Sequence, residues 1–218
     1  MNRFVVAIAV LIATLIPAAS FAQQSFPPGP YVIDLRGVMS GVPRATGFFP
    51  VVASTTLLPK RGFGLGVGAH LYPLQLGVAR IGLGVDAARM RGTAMTPAVV
   101  GTTAATSTSA VNAAMGMTTV AGQVSFNFGS RDGWSYLTAG YGNTRTRSQV
   151  SSDVLGPIVH SVVVITRHSP TINYGGGARW FIREHMAVGF DLRFHRIAAV
   201  GSQPGTRVFA LSAGLSVR

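Results

Sequence analysis

From residue 30 onward, apolar side chains recur at every second position, and no other feature of this chain limits its fold as strongly. Across residues 186–195, Met186, Val188, Phe190, Leu192 and Phe194 share one parity, while Ala187, Gly189, Asp191, Arg193 and His195 share the other. Neighbouring side chains of a strand point to opposite faces, whereas a helix would scatter both sets around its axis. Residues 63–72 repeat the pattern, with Phe63, Leu65, Val67, Ala69 and Leu71 set against Gly64, Gly66, Gly68, His70 and Tyr72. The same reading predicts strands at 31–38, 80–89, 118–128, 134–143, 172–182 and 207–217, eight in all.

The connections between these strands alternate in length. Three are short and rich in turn-forming residues, at 73–77, 129–133 and 183–185. The other four, at 41–62, 92–117, 144–171 and 197–206, are long. A meander with both termini and its short turns at one end, and its long loops at the other, produces this rhythm. Val99, Val100 and Val111, and the run 162–165, are β-prone and could carry strands outward beyond such a body.

Ahead of the meander, residues 1–22 combine Arg3, an apolar stretch, Pro17 and a small-residue ending at Ala22. This pattern predicts a cleaved secretory signal peptide, because the apolar core is shorter than the roughly 20 residues a membrane helix needs. Residues 23–29 then form a short periplasmic segment, and 30–218 a single β domain. The 18 basic and 6 acidic residues leave a net charge of +12, yet only 11% of the chain is charged and its mean hydropathy is +0.40. That is too apolar for a disordered tail or an ordinary nucleic-acid binder. With no cysteine, disulfides, thiolate zinc sites, a thiol nucleophile and a lipid-modified cysteine are all excluded.

Eight antiparallel strands of about this length suit a closed transmembrane barrel. Its lipid-facing side is then expected to carry Phe63, Leu65, Val67, Leu83, Val188, Phe190, Leu192, Phe194, Leu211 and Leu215. The opposite parity encloses a charge network of Asp34, Arg36, Arg80, Asp86, Arg179, Arg183, Asp191, Arg193 and His195, with His70 on the same side. Charges removed from water require partners, so the aspartates are expected to be bridged by the arginines. The interior of an eight-stranded barrel is barely wide enough for its own side chains, which makes a filled lumen the natural outcome. Glycine at alternate positions of 62–68 keeps that crowded wall clear. Aromatics near strand ends (Tyr31, Tyr72, Trp134, Tyr136, Trp180, Phe181) are expected to form interfacial girdles. Arg44, Lys60, Arg61, Arg145, Arg147 and Arg167 fall in or beside the long loops, where they could meet phosphates of anionic lipids.

Catalytic and cofactor signals are weak. The glycine runs lack the strand-to-helix context and the Lys-Ser/Thr of a phosphate loop. The histidines at 70, 160, 168, 185 and 195 lack close metal-ligand spacing, so no metal or cofactor is expected. Small barrels that deacylate lipid A use a Ser and a His. Here, adjacent pairs such as His160-Ser161 and His168-Ser169 would point to opposite faces of a strand.

The segments VSFNFGSRDGWSYLTAGYG, INYGGGARWF and MAVGFDLRF, in which strand, tight turn and strand follow directly, resemble the small eight-stranded outer-membrane β-barrels of the OmpA/OmpX-like group. The chain departs from that group in ending Leu215-Ser216-Val217-Arg218, where an aromatic commonly closes the last strand. The resemblance implies an integral outer-membrane, porin-like protein of a Gram-negative envelope. Such a protein would be monomeric, inserted by the barrel-assembly machinery and in contact with outer-membrane lipids including lipopolysaccharide, with no nucleic-acid partner. A non-enzymatic role in envelope integrity or surface interaction is expected. A narrow channel, a lipid A-modifying enzyme and a soluble lipocalin-like barrel are the alternatives.

Overall fold

The computed structural model describes residues 30–49, 58–77, 79–96, 110–130, 133–153 and 160–218. The expected signal peptide and the segment 23–29, together with Val99 and Val100, lie outside the described residues. Eight strands run in chain order: β1 (Tyr31–Gly41), β2 (Arg61–Leu76), β3 (Ala79–Thr96), β4 (Ala110–Ser130), β5 (Gly133–Asp153), β6 (His160–Arg183), β7 (Met186–Ile197) and β8 (Thr206–Val217). Each pairs antiparallel with its neighbours, and β8 pairs back onto β1 to close a barrel. Followed from Asp34, the register runs through Gly68, Asp86, Ala121, Gly142, Thr171 and Ile197 to Thr206. Asp34 itself pairs with Ser216, about ten residues further along β8, so the strands are tilted and staggered.

The strands outrun their expected bounds, most of all in β4, β5 and β6. Residues 144–153 and 160–171, expected as loop, are strand paired antiparallel, Thr144 with Ser169 and Ser152 with Ser161. On β6 the run 162–165 is apolar without alternation, and on β5 the reason is polarity. Thr144, Thr146 and Ser148 are buried and Arg145 and Arg147 exposed, so neither face is greasy and the period of two disappears from the hydropathy. In the same way β3 extends to Thr96, and β4 begins at Ala110. The turn expected at 73–77 is shorter. β2 continues through Pro73, where a register shift between Leu71 and Leu74 accommodates a residue lacking an N–H, and Gly77 turns the chain at φ +58°. One wall, β3 to β6, therefore stands taller at the long-loop end than β7, β8 and β1.

Inside, the parity set in the sequence produces layers. At the short-turn end, Val32, Tyr72, Trp134 and Tyr136 are buried together with Phe181 against them. Trp134 lies 6.0 Å from the Tyr72 ring, edge-on, and 5.0 Å from Phe181. This corrects the girdle expectation for Tyr72, Trp134 and Tyr136, which share the inward parity of His70 and Thr138 and form a floor. Tyr31 and Trp180 face outward. Above the floor sits the charged layer described below, then an apolar layer of Val38, Met90, Met117, Ile197, Val208 and Ala210. At the long-loop end, the 3₁₀ turn Thr46–Phe48 brings Phe48 and Phe49, with Leu58, against Ala113 and Met115 of the tall wall.

Candidate functional site: a charged bore and a basic rim

The inward parity of β1, β3, β6 and β7 gathers three aspartates and three arginines in the bore. Arg179 on β6 grips Asp34 on β1 with two donors, Nη2 to Oδ2 at 2.7 Å and Nε to Oδ1 at 3.1 Å. Ser216 donates to the same carboxylate at 2.6 Å. Arg193 grips Asp191, two residues away on β7, at 2.7 and 3.2 Å, and its Nη1 lies 3.0 Å from Asp86 on β3. Arg36 reaches from β1 to hydrogen-bond Asp86 and lies 3.7 Å from Asp191. The Tyr136 hydroxyl donates to Asp191 at 2.8 Å, and the Arg179 guanidinium lies 4.2 Å from the Tyr136 ring. All six charged groups are buried. Their formal charges cancel, and the donors are charge-assisted and partly bidentate, the arrangement that offsets desolvation best.

Such crowding depends on a missing side chain. A Cβ on Gly68 would sit 3.2 Å from Asp86 Oδ2 and 3.3 Å from Asp34 Oδ2, so glycine there lets both carboxylates pass. On the same level, Gln123 donates to Asn173 at 3.2 Å and accepts from Thr138 at 2.9 Å. Higher up, the hydroxyls of Thr119, Thr144 and Thr171 form a chain with 3.0 and 2.8 Å links.

Of the residues assigned to the network from sequence, Asp34, Arg36, Asp86, Arg179, Asp191 and Arg193 meet in the bore. Three do not join it. Arg80 lies near the short-turn end of β3 and donates to Gln75 at 3.3 Å, roughly 20 Å along the strand from Asp86. Arg183 is exposed, because the register slips between Phe181 and Arg183 at the end of β6. His195 is buried two residues beyond Arg193 but makes no salt bridge among the described residues. His70 comes nearer, with Nδ1 3.8 Å from Asp34.

On the outer face, Phe63, Leu65, Val67, Leu83, Val188, Leu192, Phe194, Leu211 and Leu215 are exposed, Leu65 by 65%. Phe190 is half-buried against Trp180, with ring centroids 5.5 Å apart. Arg44, Lys60, Arg61, Arg145 and Arg147 are exposed, but Arg145 and Arg147 stand on β5 and not in a loop. Arg167 has the inward parity, is half-buried and donates to Ser202 of the β7–β8 connection at 3.2 Å.

A pattern absent from the sequence reading emerges here. On β2, β3, β5, β7 and β8, the outward parity runs through apolar side chains and then reaches arginine toward the long loops: Arg61, Arg89 and Arg91, Arg145 and Arg147, Arg196, and Arg207. Arg89, Arg91, Arg196 and Arg207 were legible as outward by extending each strand's alternation past its last apolar residue.

His168 is exposed and Ser169 buried, with Gln203 donating to the serine at 3.3 Å, so this pair occupies opposite faces. The side chains of His160 and Ser161 lie outside the described residues.

No family model matches this chain, and no curated protein is similar to it in sequence. Solved structures are similar in shape. Neisserial surface protein A superposes with a TM-score of 0.50 at 13% identity, over 87% of this chain and 97% of that one. The outer membrane protease OmpT from Escherichia coli (9% identity, TM-score 0.48, 91% and 99% covered) and the outer membrane protein OprG from Pseudomonas aeruginosa (9%, 0.45, 86% and 94%) are also similar. The fold is thus the up-and-down antiparallel barrel of the small outer-membrane proteins. Within that class this chain is an eight-stranded form with a low and a tall wall.

Proposed function

We propose that the chain is an integral protein of the bacterial outer membrane, non-enzymatic, with a bore filled by its own side chains. It displays its long-loop end for envelope integrity or surface interaction. One observation carries this reading: the same strands expose leucine, valine and phenylalanine outward while enclosing a neutral set of three aspartates and three arginines. A soluble barrel gains by turning its apolar parity inward, away from water, whereas a lipid-embedded one gains by the opposite choice. The polar tall wall, with Met95, Val163 and Val164 exposed on it, is the part offered to the exterior. Contacts with lipopolysaccharide through the rim arginines, and delivery by the barrel-assembly machinery, belong to the same proposal.

The test is conductance of the refolded mature barrel in planar bilayers, after flotation with liposomes has shown insertion. The expected result is flotation with no stable unit current. Stable single-channel steps would instead establish the narrow-channel alternative, and failure to float would return the chain to the soluble barrels.

A further inference from the structure

A cavity of about 860 Å³ opens on the outer surface where the tall β5–β6 wall meets the low β7–β8 wall. Tyr141, Pro170 and Ile172 line one side, and Arg196, Ala198 and Arg207 the other. Tyr141 is 66% exposed and Ile172 49%, so the cavity has an apolar flank level with the top of the greasy outer face.

Arg196 and Arg207 are direct partners across the β7–β8 ladder, both exposed. Like charges placed opposite one another on one sheet face are destabilising. Neither arginine has a hydrogen bond or ion pair among the described residues. Among the described residues no carboxylate pairs with either. Of the chain's six acidic residues, Asp34, Asp86 and Asp191 are engaged in the bore. Glu184 belongs to the short connection after β6, and Asp153 ends β5.

We infer that this lateral cavity binds the phosphorylated headgroup of an outer-leaflet glycolipid. The paired guanidiniums would clasp one phosphate, and Tyr141, Pro170 and Ile172 would cover the apolar part beside it. Arginine suits phosphate because its planar fork donates two parallel hydrogen bonds. The cavity volume lies within the range of small-ligand sites. The position fits too, since a lipid phosphate sits at the boundary where the apolar outer face gives way to the basic rim. This inference rests on the membrane reading above.

The test uses the mature barrel in nanodiscs of neutral phosphatidylcholine, with bound lipid counted by native mass spectrometry. Three probes are titrated: a bis-phosphorylated glycolipid, its phosphate-free counterpart and inorganic phosphate. Saturable binding of the phosphorylated lipid is expected, falling at least roughly tenfold in R196Q/R207Q. The control R183Q removes an exposed arginine at the opposite, short-turn end and is expected to lose less than about twofold. R196K/R207K, which keeps charge but not the planar fork, is expected to fall between wild type and R196Q/R207Q. Equal losses in the two glutamine variants, or equal binding of the phosphate-free lipid, would overturn the site. Displacement of the glycolipid by equimolar inorganic phosphate would assign the cavity to the free ion instead. A barrel that never enters the nanodisc breaks the membrane reading, whereas one that enters but retains lipid in R196Q/R207Q breaks only this inference.

Discussion

Arginine occupies two regions of this barrel under opposite conditions. Arg36, Arg179 and Arg193 are buried in the bore, where each meets a carboxylate of the same chain. Arg89, Arg91, Arg145, Arg147, Arg196 and Arg207 stand exposed on the outer face, on the long-loop side of its main apolar band. The inner set completes a balanced ensemble that belongs to folding. The outer set carries charge with no carboxylate partner among the described residues, which is the part our proposal assigns to recognition. Once the three aspartates and three arginines of the bore cancel, most of the net charge of +12 falls toward the long-loop end, with Arg80, Arg183 and Arg218 at the other.

The comparison breaks most visibly at Asp34. Replacing it with alanine leaves Arg179 buried with its bidentate acceptor gone, and unpairing a buried charge costs about 3–5 kcal/mol. Urea unfolding in lipid vesicles is expected to show that loss for Asp34→Ala. The double replacement Asp34→Leu with Arg179→Met is expected to recover most of it, because no unpaired ion remains. If the double variant were as unstable as the single one, the pair would not be acting as a unit.

Most of this architecture was readable from the sequence, and the places that were not share a cause. Alternation located β7 closely, because Val188, Leu192 and Phe194 contrast sharply with Asp191 and Arg193. The same rule lost the outer half of β5, where Thr144, Arg145, Thr146 and Arg147 are polar on both faces, and that of β6, where the apolar run 162–165 does not alternate. Parity identified six members of the charge network, but it could not tell that Arg80 and Arg183 lie too near the strand ends to reach it. That depends on stagger and on a slip at Phe181, neither of which is local. Trp134 and Tyr136 were misread because proximity to a strand end was weighted above their parity, which already pointed inward. The cap formed by Phe48 and Phe49 came from a long loop with no period to follow.

A subtler change within the bore sharpens the comparison. Tyr136→Phe keeps the ring beneath Arg179 but removes the hydroxyl that donates to Asp191. A hydrogen bond to a charged group contributes about 1.5–3 kcal/mol, so a loss in that range is expected in the same unfolding assay. Arg193 still holds Asp191 with two donors, which keeps the effect below that of Asp34→Ala. A loss as large as the Asp34 variant's would mean that the hydroxyl, and not the guanidinium, carries that carboxylate.

The smallest effect on stability is expected at the rim, and it tests the outer half of the comparison. Arg89 and Arg91 are exposed neighbours on one face of β3, with no carboxylate partner among the described residues. Arg89→Gln with Arg91→Gln is expected to shift unfolding in neutral lipid by no more than about 0.5 kcal/mol, as surface changes away from special features do. In vesicles containing anionic lipid the same variant should lose stabilisation that the wild type gains there. That gain should fade as salt rises, because exposed charges are screened over about 10 Å at 0.1 M ionic strength. Asp34→Ala should respond little to salt, since its pair is out of water. If the rim variant proved costly in neutral lipid and indifferent to salt, those arginines would be part of the fold's own balance, and the division between inner and outer sets would fail.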